Sequence, residues 1–178
     1  MAFDRDELLE KLAWALAKNP GSSMKDLAEE VGISKASLHR IYSTRESLCQ
    51  TLVERTKEIF EGTMKITRRE HGDFEADLKE LISFHVQHSA FVLFSGRDAF
   101  VQMIEEAEWE RYDEELAAFF RAGKEAGVWQ ADFSSEEMRD IFMSLVIGIM
   151  EHNLWDGTYG KSAERLIYRA LLGGIASK

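Results

Sequence analysis

The stretch MKDLAEEVGISKASLHRIYSTRESL, residues 24–48, decides the fold of the chain. It contains a small residue, Ala28, four positions before Gly32. Glycine can reverse a chain in the left-handed conformation without steric strain, so Gly32 predicts a turn between two helices. Apolar residues occupy the positions that two such helices would bury: Leu27, Val31, Ile33, Leu38 and Ile41. The pattern predicts a helix-turn-helix whose second helix begins after the N-cap Ser34.

The outward face of the second helix is expected to be basic. If Leu38 and Ile41 point inward, the helical period exposes a set of small or polar residues: Lys35, Ala36, Ser37, His39 and Arg40. Residues 33–45 include three basic side chains and no acidic one, whereas the whole chain has a formal net charge of −10. A locally basic helix on an acidic protein favours contact with a polyanion. The alternative is an ordinary pair of amphipathic helices with a solvated basic face.

Charge is divided unevenly along the chain. Residues 1–55 have a net charge of −1, and residues 56–178 have a net charge of −9. Only the N-terminal part therefore suits a polyanion such as DNA. The acidic remainder would repel phosphate from every other surface and so favour one orientation of binding.

Length and composition limit the classes of protein that fit. The chain has 178 residues, 45% of them hydrophobic, which is enough for one or two small domains with a buried core. A single cysteine, Cys49, excludes an intramolecular disulfide, and the acidic, amphipathic N-terminus lacks the pattern of a secretory signal. The longest apolar run, from Ile141 to Met150, is well short of the roughly 20 residues that cross a bilayer. We expect a cytoplasmic protein with no membrane span.

The fold class is expected to be all-α. The chain contains one proline, Pro20, and no segment with the alternating pattern of a strand. Periodic apolar residues predict about nine helices, at residues 4–18, on both sides of Gly32, and at residues 45–69, 74–94, 97–106, 108–126, 135–155 and 162–176. The helix over residues 45–69 would join the N-terminal helices to the rest of the chain.

The segment HRIYSTRESL, residues 39–48, resembles the signature of the TetR family of bacterial transcriptional repressors. That signature runs aromatic, two residues, aromatic, two residues, basic, acidic, any residue, leucine. His39 stands here where the family most often has tyrosine, and Arg45 stands where it most often has lysine. The resemblance covers about residues 8–52, and beyond them only the helix count and chain length are similar.

The resemblance implies a three-helix helix-turn-helix DNA-binding domain at residues 1–50 and a helical-bundle ligand-binding and dimerisation domain at residues 51–178. It also implies a homodimer that represses transcription from a palindromic operator in double-stranded DNA and is released by a small-molecule inducer. Ligand would tilt the helix over residues 45–69 and so move the two reading heads out of adjacent grooves. The alternative from another class is a dimeric small-molecule-binding or interaction module that no longer reads DNA.

Residues around the predicted turn are assigned to DNA contact. Base contacts are assigned to Lys35, Ser37 and Arg40, because long basic side chains can donate to guanine O6 and N7. Phosphate contacts are assigned to residues near helix N-termini and in the signature, which are Ser23, His39, Tyr42, Thr44 and Arg45.

A largely apolar effector is expected, because aromatic residues and methionines recur at helical spacing in the C-terminal part. The candidates for contact with it are Phe84, His85, His88, Phe91, Phe100, Met103, Trp109, Phe119, Phe120 and Phe142. Plain core is the alternative for the aromatic residues. His85 shares a helix face with Leu78 and Leu81 and should point inward, where it either orients a ligand or is bonded to a backbone carbonyl.

The helices from Ser135 to Trp155 and from Ser162 to Ala176 are the expected dimer interface. The first is apolar nearly all round, so it needs burial on two sides. Ser144 and Gly148 would let the backbone of a partner approach closely. Burial within one monomer is the alternative interpretation.

No cofactor, metal site or enzymatic activity is expected. His85 and His88 are three residues apart on one predicted helix, but two histidines without a third ligand make a weak metal site. The acidic run over residues 105–116 is interpreted as a solvated helix face. The chain also lacks a phosphate-binding loop and a nucleophile motif.

Overall fold

The computed structural model describes residues 4–70, 72–130, 132–157 and 159–175. All regular structure in these residues is helical, so the all-α prediction is confirmed. Ten α-helices and one 3-10 turn follow in chain order: α1 (Arg5–Lys18), α2 (Met24–Glu30), α3 (Lys35–Ile41), α4 (Arg45–Thr67), α5 (Phe74–Gln87), α6 (Ser89–Ser95), α7 (Asp98–Val101), α8 (Glu106–Glu125), α9 (Ser135–Asp156), the 3-10 turn (Gly160–Ser162) and α10 (Ala163–Ile175). The predicted end of the last helix, Ala176, lies outside the described residues.

The chain forms two compact units. The head unit consists of Met1–Glu58 and Ala90–Glu105, and the bundle unit consists of Ile59–Ser89 and Glu106–Lys178. The head unit thus includes most of α6 and all of α7 in addition to the N-terminal helices. The functional division into residues 1–50 and 51–178 stays a prediction.

Local signals shape the first three helices. In α1, Leu12 and Leu16 are fully buried one turn apart. A capping box opens α2, because the Ser23 hydroxyl accepts from the backbone N–H of Asp26 while the Asp26 carboxylate accepts from that of Ser23. Gly32 has a φ of +75°, the left-handed conformation that the turn requires. The predicted helix-turn-helix is confirmed.

The predicted core positions of the motif are buried to different degrees. Val31 and Ile33 are only half-buried, and the prediction for Ile41 is wrong. Leu38 is fully buried, but Ile41 is 37% exposed. Ile41 is the last residue of α3, and the chain leaves the helical conformation at Tyr42, with a φ of −126°. The Tyr42 ring, 3% exposed, takes the core position that the helical period assigned to Ile41.

Two predicted helices are shorter than expected. The helix predicted over residues 74–94 divides at His88, whose ψ of 19° ends α5 before α6 begins. The helix predicted over residues 97–106 is reduced to α7, because the backbone N–H groups of Met103 and Ile104 bond three residues back to Phe100 and Val101. Neither break is marked by glycine or proline, so neither was visible in the sequence.

The bundle unit is built on α9. This helix packs against α5, α8 and α10, and α10 also packs against α5. The buried stripe of α9 has a spacing of four residues: Met138, Phe142, Val146 and Met150. None of the described helices is both long and apolar enough to cross a membrane.

Candidate functional site

The outward face of α3 presents the predicted reading residues. Lys35, His39 and Arg40 are exposed, and no acidic residue lies within the helix. The Ser34 hydroxyl accepts from the backbone N–H of Ser37 at 3.0 Å, which caps α3 as predicted. The Ser37 hydroxyl lies 2.9 Å from the Ser34 hydroxyl and accepts from the Arg40 guanidinium at 3.1 Å. This chain of bonds orients Arg40 along the helix.

The predicted phosphate-contact residues lie at helix ends. Thr44 and Ser47 cap α4 reciprocally, because each hydroxyl accepts from the backbone N–H of the other residue, at 3.1 and 3.2 Å. His39 is exposed, and its Nδ1 lies 3.1 Å from the Ser43 carbonyl oxygen. A carbonyl only accepts, so Nδ1 carries the hydrogen in this bond. Ser23 is exposed at the start of α2.

Tyr42 is placed differently from the other predicted contacts. Its hydroxyl is buried, and burial raises the pKa of the phenol, an effect that the nearby Arg5 guanidinium partly offsets. A phosphate contact by Tyr42 stays a prediction, and it requires exposure of this hydroxyl.

Arg45 holds the head unit together. Its guanidinium donates to the Ser22 carbonyl at 3.2 Å and to the Pro20 carbonyl, in the loop between α1 and α2. The same group lies 5.7 Å from the centre of the Phe100 ring of α7. Arg97 adds a second link, because its Nε donates to the Ala17 carbonyl at 2.8 Å. These links could not be predicted from sequence patterns, since they join residues that are 23 to 80 positions apart.

A groove beside the reading face adds a residue that the sequence analysis missed. Arg5, Leu8, Arg40 and Ile41 line an open groove of about 490 Å³ in the head unit. Two of these four side chains are cationic, and Arg5 comes from the first turn of α1. The search for a basic segment did not identify Arg5, because its sequence neighbours Asp4 and Asp6 are acidic.

The ten predicted ligand residues are divided between the two units. Phe91, Phe100 and Met103 belong to the head unit, where Phe100 stacks on Phe94 with ring centres 4.4 Å apart. The other seven belong to the bundle unit, and they are Phe84, His85, His88, Trp109, Phe119, Phe120 and Phe142. A single site within one unit therefore cannot include all ten.

His85 lies in the interior of the bundle unit, as predicted. It is fully buried, and burial lowers its pKa to about 4, so the ring is neutral at physiological pH. Nδ1 donates to the Leu81 carbonyl at 2.7 Å, and Nε2 therefore accepts from the Tyr112 hydroxyl at 2.6 Å. The backbone-bonded histidine foreseen as an alternative is the observed arrangement, and contact with a ligand stays a prediction.

Aromatic rings surround this His85–Tyr112 pair. Phe142 meets the His85 ring edge to face at 5.1 Å, and Phe60 stacks on Tyr112 at 4.2 Å. Trp109 meets Phe60 at 5.0 Å, and His88 meets Phe84 at 4.6 Å. Phe60 was not among the predicted residues, because it occurs singly on α4 and not in an aromatic stripe.

Phe119 and Phe120 lie in a second aromatic group with Trp129. The ring centres of Phe119 and Phe120 lie 6.3 and 6.4 Å from that of Trp129. The Trp129 indole also lies on Gly123, where an added Cβ would come within 1.9 Å of Nε1. All three rings are fully or almost fully buried, which fits the plain-core interpretation of Phe119 and Phe120.

Comparison with known proteins supports the assignment of the head unit. Residues 5–43 match a family model described as winged helix-turn-helix DNA-binding. The chain is 33% identical over 150 residues to the HTH-type transcriptional regulator NfxB of Pseudomonas aeruginosa, which covers 82% of this chain and 80% of that protein.

Solved structures share the fold of the whole chain. The TetR-like regulator LfrR of Mycobacterium smegmatis, in complex with proflavine, has a TM-score of 0.64 at 19% identity and covers 98% of this chain and 97% of its own. The MbdR regulator of Azoarcus sp. CIB has a TM-score of 0.71 at 18% identity and covers 97% of this chain and 99% of its own.

These relatives are transcriptional regulators, so the protein is a DNA-binding regulator and not an enzyme. The helix-turn-helix, the all-helical fold and the similarity to NfxB agree in this respect. The chain belongs to the TetR family of transcriptional regulators.

Proposed function

We propose that the protein is a cytoplasmic, ligand-responsive repressor that binds a palindromic operator as a homodimer and is released by a small-molecule inducer. The observation that carries the proposal is the exposed, acid-free face of α3, a helix capped by Ser34 on an otherwise acidic chain. Lys35, Ser37 and Arg40 read bases in the major groove. Ser23, His39 and Thr44 contact phosphates. The buried Tyr42 and the half-buried Arg45 contact phosphates or support that contact.

A dimer is proposed through α9 and α10. Apolar side chains remain exposed on both helices, with Ile147 and Leu166 each 39% exposed and Trp155 67% exposed. Gly148 and Gly173 are exposed as well, and a Cβ added at either meets nothing within 4 Å. Monomeric proteins seldom leave such surface uncovered, and a second copy would bury it in a four-helix contact.

Dimerisation would also supply the affinity that one head lacks. A single head offers only about 600–1,000 Å² of contact with DNA. Two heads related by a two-fold axis would occupy half-sites about 34 Å apart, so the operator is expected to be palindromic.

The inducer is proposed to be a flat, largely apolar molecule that binds in the bundle unit. The aromatic rings around His85 and Tyr112 support this class of ligand. The structural neighbour LfrR was solved in complex with proflavine.

Three chain crossings would carry the signal to the head unit. The chain passes between the units within α4, at residues 58 and 59, and again before Ala90 and after Glu105. Residues 90–105 are fastened within the head unit by Arg97 to Ala17 and by Phe100 to Arg45. Displacement of this segment by an inducer would therefore move α3 and weaken DNA binding. By reciprocity, bound DNA would weaken inducer binding by the same factor by which inducer weakens DNA binding.

Selection of random duplex DNA by the purified protein tests the proposal. We expect enrichment of one palindromic sequence, bound by a dimer far more tightly than random DNA at about 150 mM salt. The absence of enrichment, together with a dimer that still binds small molecules, would instead favour the module that no longer reads DNA.

Substitution of two arginines then tests the roles within the head. Arg40→Ala should weaken the selected site about 10- to 100-fold, by 1–3 kcal/mol, with little change in stability or in binding to random DNA. Arg45→Ala should weaken all sequences alike and also lower the free energy of unfolding, because the Pro20 and Ser22 carbonyls lose their donor. Equal effects of the two variants on selected and random DNA would refute the division of roles.

A further inference from the structure

His39 presents a ring nitrogen without a hydrogen on the outward face of α3. The ring is exposed, and its Nδ1 donates to the Ser43 carbonyl at 3.1 Å. A neutral imidazole carries one hydrogen, so Nε2, on the opposite side of the ring, has only a lone pair. None of the residues that the structure describes donates to this nitrogen. His39 therefore offers DNA an acceptor as long as its ring is neutral.

A phosphate oxygen cannot bond to this form of the ring. Phosphate oxygens accept hydrogen bonds, and a lone pair on Nε2 would face them without a hydrogen. The other neutral tautomer could donate from Nε2, but it would turn an unprotonated Nδ1 toward the Ser43 carbonyl. An imidazolium donates from both nitrogens, so Nδ1 keeps its bond to Ser43 while Nε2 donates to the phosphate. Contact between His39 and a phosphate thus requires a second proton on the ring.

The charged groups next to His39 in the chain do not supply a counter-ion for that proton. On α3, Lys35 lies one turn before His39 and Arg40 follows it, and the helix contains no acidic residue. Glu46 lies in the first turn of α4. Hydrogen bonds from its own backbone N–H and from the Thr44 side chain lower the pKa of Glu46, so this carboxylate is held at the start of its own helix.

The helix packed against α3 supplies no counter-ion either. This helix is α2, and its charged side chains have partners elsewhere: Lys25 with Glu29 at 3.7 Å, Glu30 with Lys18 of α1 at 3.8 Å, and Asp26 with the backbone N–H of Ser23 at 2.9 Å. From α1, Arg5 lies near Tyr42 and lines a groove with Arg40. A DNA phosphate is therefore the anion that would pair with a charged His39.

We propose that His39 contacts a DNA phosphate only as an imidazolium, so that DNA binding is coupled to proton uptake by each subunit and tightens as the pH falls from 8 to 6. The proposal rests on the DNA-binding function proposed above. Histidine is the side chain that ordinarily changes charge in this range. Tyrosine, which the TetR signature most often has at this position, would donate from its hydroxyl throughout the range. The coupling is thus a property of the histidine in this chain.

Calorimetric titration in buffers of different ionisation enthalpy counts the protons taken up. The full-length protein is titrated with the selected operator, and with random duplex DNA, at constant ionic strength. We expect an uptake of at least about half a proton per subunit at pH 7. The affinity should be about tenfold higher at pH 6 than at pH 8 for each subunit bound, as one charge-assisted hydrogen bond would give. Equal affinities at the two pH values would overturn the proposal.

The salt dependence of binding identifies the partner of His39 as a phosphate. One more neutralised phosphate per subunit should make the slope of log K against log salt concentration steeper by about 1 at pH 6 than at pH 8. An affinity that falls on acidification would instead mean that neutral Nε2 accepts from an amino group of a base, and the phosphate contact would then be wrong.

Histidine variants locate the proton. His39→Tyr and His39→Lys should each bind DNA with the same affinity at pH 6 and pH 8, because the first donates without a charge and the second is charged at both values. His152 is the control, because it is exposed in the bundle unit, and His152→Gln should keep the full pH dependence. The pKa of His85 is about 4, so this residue stays neutral throughout. A pH dependence that survives in His39→Tyr would refute the role of His39.

Random DNA separates this proposal from the proposed repressor function. A phosphate contact does not depend on sequence, so the proton uptake should also accompany binding to random DNA. A protein that enriches no palindrome but takes up a proton through His39 on random DNA keeps the phosphate contact and loses the repressor function. A protein that binds the selected palindrome equally at both pH values remains a regulator and loses the proton coupling.

Discussion

The hydroxyls around the reading helix of the head unit and the buried phenol of the bundle unit find their hydrogen-bond partners in different ways. Around the reading helix, hydroxyls bond to groups three residues away, as Ser34 does with Ser37 and Thr44 does with Ser47. In the bundle unit, the bond from Tyr112 to His85 joins residues 27 positions apart, and the bond from Tyr168 to Glu75 joins residues 93 positions apart. Bonds of the first kind follow from short segments of sequence, whereas bonds of the second kind form only in the assembled fold.

The largest expected effect tests the core beneath the reading helix. Leu38→Ala should lower the free energy of unfolding of the head unit by about 3 kcal/mol, because Leu38 is fully buried and its removal leaves a cavity. Chemical denaturation followed by circular dichroism measures this change.

Ile41→Ala is the matched control on the same helix. We expect it to cost less than about 1 kcal/mol, because Ile41 is already 37% exposed. Comparable losses for both variants would mean that Ile41 is buried as the sequence pattern indicated. The helical pattern would then predict burial correctly up to the last residue of α3.

The second prediction concerns the pH dependence of the bundle unit. The pKa of His85 is about 4 in the folded chain and 6.5 in its ordinary, unfolded state. Between these values the unfolded chain binds a proton that the folded chain excludes, so stability falls as the pH is lowered from 6.5 to 4. The loss should reach about 3 kcal/mol at pH 4 and should not grow below it.

Urea unfolding of the wild type and of His85→Gln at several pH values measures this loss. The glutamine side chain can replace a donor and an acceptor but does not titrate in this range. The wild type should therefore lose about 3 kcal/mol more than the variant between pH 6.5 and pH 4. If the unfolding free energies of the two proteins change in parallel with pH, burial does not keep His85 neutral. The bond from Tyr112 to His85 would then not account for the pH dependence of stability.

The same contrast explains what the sequence could predict. Gly32, the cap at Ser34 and the basic face of α3 follow from spacings of a few residues, and each is observed. His85 was correctly expected in the interior, because its register with Leu78 and Leu81 is also local. Helical periodicity was therefore sufficient to predict these features, each of which depends on one helix and its adjoining turn.

Other features depend on contacts that periodicity does not contain. Tyr42 is buried in the core in place of Ile41 because of where α3 ends. Sequence patterns locate helix ends poorly. The end of α5 at His88 has no glycine or proline to mark it.

The smallest expected effect uses one kind of local bond in both units. Ser34 caps α3 in the head and Ser134 caps α9 in the bundle, each by accepting from the backbone N–H three residues later at 3.0 Å. Substitution of either serine by alanine should cost about 1 kcal/mol of unfolding free energy. Ser34→Ala should also weaken the selected operator several-fold, because Ser37 and through it Arg40 lose their support, whereas Ser134→Ala should leave DNA affinity unchanged. If operator affinity falls equally in both variants, the order of the reading helix depends on the bundle unit and not on its own local bonds.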